Sequence, residues 1–251
     1  MNKKQLKNEK EIKIMAEGGK HLSEIKAKAA QAVKPGVSAA EIEELVTNLI
    51  TKSGGQPSFK MVPDYYWSTC INVNEGVVHG IPHKNIVFKE NDLVSIDMGI
   101  FYQGFHTDTS DSVYLGSDPE INKFMQVGKN ALKAGIAAFK LGNTVGDISQ
   151  DMGKVVSEAK LSVMENLTGH GVGKSLHEDP RVPCKRLGMP DEEVKLEPGL
   201  VLAIEIMYAQ GSSELILEDD GWTLSTKDAK IAALFEETVA LSGNGQIVLT
   251  N

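Results

Sequence analysis

Two stretches of this 251-residue chain, about a hundred positions apart, follow one pattern, so its fold must be one that can be built twice. Ala32–Ile42 (AVKPGVSAAEI) can be laid on Ala138–Ile148 (AFKLGNTVGDI). Each holds a lysine, a glycine, a hydroxyl residue suited to cap a helix, an acid three positions on, and an isoleucine. Further along, Leu93-Val94-Ser95-Ile96-Asp97 can be laid on Val201-Leu202-Ala203-Ile204-Glu205. The offsets, 106 and 108 positions, are nearly equal, and a duplicated helix–helix–sheet unit accounts for both.

The local signals agree. Ile12, Met15, Leu22, Ile25 and Ala29 recur at helical spacing from Glu9 to about Val33, and Lys34-Pro35-Gly36 stops that helix. Ser38 and Glu41 form a capping box, in which each side chain satisfies a free backbone N–H at the other's end. A second helix runs on to about Lys52, with Ile42, Leu45, Val46 and Leu49 on one side and Gly54-Gly55 closing it. From Thr69 to Asp111 the pattern is strand-like, with turns at Asn74-Glu75-Gly76 and Gln103-Gly104. Paired helices and runs of strands indicate an α+β fold on a largely antiparallel sheet. The halves fall at roughly 10–115 and 120–251. No Pro/Gly/Ser-rich linker divides them, so residues 1–251 read as a single domain with one shared sheet and one core.

The strands carry acids where apolar residues belong. Asp97 lies in Leu93-Val94-Ser95-Ile96-Asp97-Met98-Gly99-Ile100-Phe101, and Asp108 follows the Gln103-Gly104 turn, which brings the two to adjacent strands. Glu205 lies within Leu200–Met207, and Glu236 between Ile231-Ala232-Ala233-Leu234-Phe235 and Thr238-Val239-Ala240-Leu241. Taken singly, each Asp reads more simply as a salt-bridged or edge-strand residue, because buried acids are rare. Taken together, four carboxylates on apolar strands, with little Lys or Arg among them, need positive charge from elsewhere. Two divalent cations balance them, +4 against −4, and such pairs serve hydrolysis.

Histidine and glycine add to this. Thr168-Gly169-His170-Gly171-Val172-Gly173 puts His170 in a glycine-rich turn, and His177 follows seven residues later. The glycines match neither a P-loop nor a dinucleotide fingerprint. His79 sits in Val77-Val78-His79-Gly80-Ile81-Pro82, whereas His21, His83 and His106 read as solvated or core residues. The formal charge of −8, from 26 Lys+Arg against 34 Asp+Glu, argues against a general nucleic-acid binder. No apolar run approaches the roughly 18 residues of a membrane span, and no signal peptide is visible. Cys70 and Cys184 make no disulfide framework, so a reducing cytoplasm is expected. The lysine-rich start (Lys3, Lys4, Lys7, Lys10) reads as a solvated helix N-terminus, whose removal through Asn8 should leave peptide turnover unchanged.

His79-Gly80-Ile81-Pro82, the Asp97 strand, Gly104-Phe105-His106-Thr107-Asp108-Thr109-Ser110, Gly169-His170-Gly171-Val172-Gly173, His177-Glu178, Glu197-Pro198-Gly199, Glu205 and Phe235-Glu236 stand in one order. That order, over the whole chain, resembles type I methionine aminopeptidases, within the wider pita-bread metallopeptidases. The resemblance implies a pita-bread fold with pseudo-two-fold halves, and two divalent ions drawn from Co, Mn, Fe or Zn. It implies that Asp97 holds one ion, His170 and Glu205 the other, and Asp108 and Glu236 both. A bridging hydroxide would attack the first peptide carbonyl, Glu205 would accept the proton, His177 would donate to the developing oxyanion, and His79 would contact the scissile amide nitrogen. Tyr65, Cys70, His79 and Trp222 match the pocket for the methionine side chain. The implied substrates are nascent chains and peptides beginning with Met before a small residue; the implied setting is a cytoplasmic monomer in transient contact with the ribosome.

The chain also departs from the family. Met61-Val62-Pro63-Asp64 replaces a Gly-Tyr segment, Leu176 stands where Phe is frequent, Ile206 where Pro is common, and Glu237 where His or Asp is usual. Glu237 is expected to add negative charge near the metals. Two other readings compete: an Xaa-Pro aminopeptidase or prolidase, which shares the five ligands but carries an added N-terminal domain, and a binding module that has lost catalysis. Retention of all five ligands with His79 and His177 argues against the second.

Overall fold

Both repeated helix starts are capped as their residues dictate. In a computed structural model describing residues 5–251, α1 (Glu9–Ala32) is capped by Asn8 and α2 (Ala39–Lys52) by Ser38, which accepts from Glu41 N–H while the Glu41 carboxylate returns the bond. After β1 (Gln56–Pro57), β2 (Thr69–Val73) and β3 (Gly76–Val78) come two long strands, β4 (Leu93–Tyr102) and β5 (Phe105–Tyr114). They are joined by the Gln103-Gly104 turn, both residues at positive φ. The second half repeats the order: α3 (Pro119–Ala138), then α4 (Val145–Glu158) with its Thr144–Asp147 capping box. β6 (Ser162–Val163), β7 (Thr168–Gly171), β8 (Glu178–Pro183), β9 (Val201–Ala209), β10 (Leu215–Leu217), β11 (Leu224–Thr226), β12 (Ala232–Ser242) and β13 (Gly245–Val248) complete the described residues.

Among those residues the halves share one ten-stranded sheet, ordered β1-β4-β5-β12-β9-β7-β8, with every pairing antiparallel. The helices cover one face: α1 lies on β4, β5 and β12, and α3 on β9 and β12. Close approach requires small residues. A Cβ at Gly19 of α1 would strike the Leu249 carbonyl, and one at Gly128 of α3 would strike the Tyr208 and Phe235 rings. The buried apolar side chains gather in clusters, the two largest of which lie under the two helix pairs. Leu22, Ile25, Val46, Val94, Ile96 and Met98 form one cluster under α1 and α2, and Phe124, Ile148, Ile204, Tyr208 and Phe235 belong to another under α3 and α4. Each helix pair buries its own apolar face at about 1.5–3 kcal/mol per large side chain, and a further cluster, in which Ile12, Met15 and Phe105 meet Val201, Ala203 and Ala240, joins the two halves.

The start of the chain also differs from expectation. Lys3 and Lys4 lie outside the described residues, and Lys10 is exposed, but Lys7 is buried, its ammonium paired with Glu178.

Candidate metal centre

Strand periodicity decides which side chains face away from the helices. On β4, Val94, Ile96, Met98 and Ile100 pack against the α1–α2 layer, which turns Ser95, Asp97 and Gly99 to the opposite face. The register then carries that face across the sheet, because directly paired residues share a side. Asp97 pairs with Ser110 on β5, Ser110 with Glu236 on β12, and Glu236 with Glu205 on β9. Asp108 lies two residues from Ser110, and His170 on β7 pairs with Ala203, two residues from Glu205. All five residues therefore project from one face, and all five line one cavity of about 660 Å³.

Asp108, His170, Glu205 and Glu236 are buried, and Asp97 is partly open to the cavity. Donor atoms of Asp108, His170 and Glu236 lie within 4.8 Å of one another. Burial lifts Asp97 to about 7, against hydrogen bonding with Glu236 and the Met98 N–H. Asp108, Glu205 and Glu236 are pushed well above the usual carboxylate range, by burial first and then by the other acids of the cluster. No lysine or arginine pairs with any of the four carboxylates among the described residues. His170 is the opposite case, since burial pushes it down to about 3 and keeps it neutral. Its Nδ1–H donates to the Gly171 carbonyl at 2.9 Å, which leaves Nε2 unprotonated, 3.9 Å from Asp108 Oδ2. Asp97 Oδ1 and the Ser110 hydroxyl are buried without a partner. Unpaired buried oxygens, mutually repelling carboxylates and one oriented imidazole are a donor set suited to hard divalent cations.

The two remaining histidines flank the cluster. His177 stands on the turn between β7 and β8, its ring 4.5 Å from that of His170. His79 follows β3 with a left-handed backbone (φ 60°), uncommon for a residue with a side chain, and its ring is 6.5 Å from Trp222. Burial lowers the pKa of both, and the nearness of His177 lowers His79 further, so the fold favours the neutral imidazole in each.

One wall of the cavity is apolar and aromatic. Phe59, Tyr65, Cys70, Ile81 and Leu176 pack together, with Val62, Trp67 and Trp222 against them. Tyr65 is 5.1 Å ring to ring from Trp222, and its hydroxyl donates to the Thr69 carbonyl at 2.8 Å and toward Cys70 Sγ at 3.2 Å. Burial pushes the Cys70 thiol up, so it packs as a thiol rather than acting as a nucleophile. Cys184, pushed up to about 12 chiefly by burial, is likewise a packed side chain. Of the departing residues, Val62 and Leu176 lie in this wall.

Glu237 does not act as expected. Alternation along β12 turns it to the helix side, where Lys26 Nζ meets it at 2.5 Å and Thr109 and Thr250 donate to it. Its charge is neutralised there and is the least of the influences raising Glu236. Conversely, Ser110 is in the acidic row although the sequence did not single it out; its place two residues after Asp108 was the available signal.

A model of metallopeptidase family M24 matches residues 13–242. The methionine aminopeptidase of Clostridium perfringens is 39% identical over 246 residues, 98% of either chain. Methionine aminopeptidase 1 of Bacillus subtilis is 36% identical, covering 97% of this chain and 98% of its own. The crystal structure of methionine aminopeptidase from Thermotoga maritima superposes with a TM-score of 0.95 at 36% identity, over 99% of this chain and all of that one. The Pyrococcus furiosus prolidase shares the pita-bread fold at a TM-score of 0.75 and 22% identity, but only 65% of its length is matched. The full-length agreement singles out one branch of the fold: this chain belongs to metallopeptidase family M24 and, within it, to the methionine aminopeptidases.

Proposed function

We propose that Asp97, Asp108, His170, Glu205 and Glu236 hold two divalent cations, and that the enzyme removes an N-terminal methionine when the next residue is small. The observation carrying this reading is the row of carboxylates and one neutral imidazole on a single sheet face, opening into a cavity with an aromatic wall. When bound, the cations supply the charge that makes water nucleophilic near neutral pH and polarises a peptide carbonyl.

The chain's own groups do the rest. Tyr65, Cys70, Leu176 and Trp222 enclose an apolar space suited to a thioether side chain, since sulfur contacts aromatic rings favourably. A carboxyl oxygen of Glu205 takes the proton of the attacking water and returns it to the departing amine. Neutral His177 keeps one ring N–H, which donates to the carbonyl oxygen as negative charge grows there, a bond worth about 2.7–4 kcal/mol in a transition state. His79, held at the rim, meets the scissile amide nitrogen and fixes the peptide's direction. A bulky second residue would crowd the passage between the two histidines and the acidic row. The expected setting is the cytoplasm, with the enzyme a monomer that meets nascent chains at the ribosome.

Titration of metal-free protein with Mn, Fe, Co or Zn tests the cations, with two per chain expected. Release of free methionine from Met-Ala-Ser, Met-Lys-Ser and Ala-Pro-Ser tests the rest: only the first should be cleaved, and chelator should stop it. Fewer ions per chain, or cleavage of Ala-Pro-Ser, contradicts the proposal.

A further inference from the structure

The segment before α1 is tied directly to the turn that carries His177. Lys7 Nζ donates to Glu178 Oε2 at 2.5 Å, with the two side chains 4% and 0% exposed. The backbone delivers Lys7 to this place: its N–H donates to the Gly199 carbonyl, and Gly199 N–H to the Leu241 carbonyl, both at 2.7 Å. Two glycines make room for it. A Cβ at Gly199 would meet the Lys7 carbonyl oxygen, and one at Gly173 would meet the Lys7 side chain.

Glu178 uses its other oxygen within the turn, accepting from Ser175 N–H at 3.1 Å. One carboxylate therefore spans residues 175–178, with Leu176 and His177 between its two ends. Strand pairing does not hold this stretch, because the β7–β8 register slips after His170 and joins Gly171 to Glu178. Lys7 is the ion-pair partner of Glu178 among the described residues. Without it a buried carboxylate would stand uncompensated, and the turn would have to open to hydrate it.

We propose that Lys7 and Glu178 are a positioning pair that sets His177 against the substrate carbonyl, so that the N-terminal segment is part of the active-site scaffold. The proposal rests on the reading of His177 as the oxyanion donor. Displacing a catalytic group by about 1 Å costs on the order of 10²-fold in rate, and an interaction made only in the transition state is lost from kcat rather than KM.

The test is steady-state cleavage of Met-Ala-Ser by metal-loaded wild type, Lys7→Met, Lys7→Arg, His177→Ala and the double variant Lys7→Met/His177→Ala, with metal content measured for each. Lys7→Met should lower kcat on the order of 10²-fold with KM and metal content little changed, Lys7→Arg should recover most of it, and Lys7→Met should cost almost nothing more once His177 is Ala. An unchanged rate in Lys7→Met, the same loss with His177 already removed, or a loss confined to KM or metal content overturns the pair's role. If Lys7→Met does not fold, the neutral pair Lys7→Met/Glu178→Gln enters the same cycle in its place. A His177→Ala enzyme with wild-type kcat overturns the reading of His177 itself, and the pair's role with it.

Discussion

The two halves are built to one plan and differ most in how their central strands are joined. In the first half two residues, Gln103 and Gly104, connect β4 to β5, and the hairpin places Asp97 and Asp108 on one face. In the second half residues 210–231 separate β9 from β12, yet Glu205 and Glu236 still pair directly. The added length forms β10 and β11, and β11 pairs back onto β3 of the first half, with Leu224 opposite Val78, beside His79. It also carries Trp222 to Tyr65. The paired strands thus supply the acids from both halves, while the unequal connection adds Trp222 to a wall whose other residues come from the first half and the His177 turn. Duplication explains the four acids, and departure from duplication brings Trp222 onto Tyr65 in the apolar wall.

The largest effect should come from cutting the shared row. Asp108→Asn in the first half or Glu236→Gln in the second should each lower methionine release by on the order of 10³-fold, the several kcal/mol that metal charge supplies, and should reduce bound metal. Retention of both rate and metal by either variant would break the equivalence of the halves. Changing the unequal connection should act differently: Trp222→Ala should raise KM for Met-Ala-Ser by roughly tenfold through lost aromatic contact, with bound metal unchanged. Metal loss in that variant would mean the inserted segment supports the row as well as the pocket.

A pH experiment separates the two kinds of buried group. The carboxylates have raised pKa values, so the metal-free folded protein holds protons that the unfolded chain has lost, and that stabilisation disappears as pH rises through the folded values. The buried histidines, lowered in the fold, cost stability only below their unfolded value near 6.5. Between about pH 7.5 and 8.5, where unfolded histidine is already neutral, the raised acids dominate. Metal-free protein should lose at least about 1 kcal/mol over that range, while the stabilisation conferred by added metal should grow; urea unfolding with and without chelator measures both. The smallest effects belong to the repeated caps. Ser38→Ala and Thr144→Ala should each cost about 1 kcal/mol, equal within error, with activity unaffected.

What was legible in the sequence was local or chemical. The ends of α1 and α2 and the start of α4 followed from capping residues, stop signals and apolar spacing, and the β4–β5 hairpin from Gln103-Gly104. Asp97, Asp108, Glu205 and Glu236 stood out because an acid in an apolar strand is costly wherever the strand goes. Lys7 and Glu237 were misread for a common reason: a charged side chain in sequence carries no mark of its partner. Lys7 finds Glu178 some 171 positions away, and Glu237 finds Lys26 at 211, with both meetings made by the fold.

The chain's residues alone determined its repeating helix–helix–sheet plan and the charge imbalance that calls for cations, because helical and strand periods and the cost of dehydrating an acid act within a few residues. Only the tertiary structure decided that Ile12, Met15 and Phe105 of the first half pack with Val201, Ala203 and Ala240 of the second, that Asp97, Ser110, Glu236 and Glu205 fall in one row, and that Glu237 faces away from it. Those outcomes depend on strand register, where a shift of one residue turns every side chain to the other face, and register is set by pairings between segments far apart in the chain.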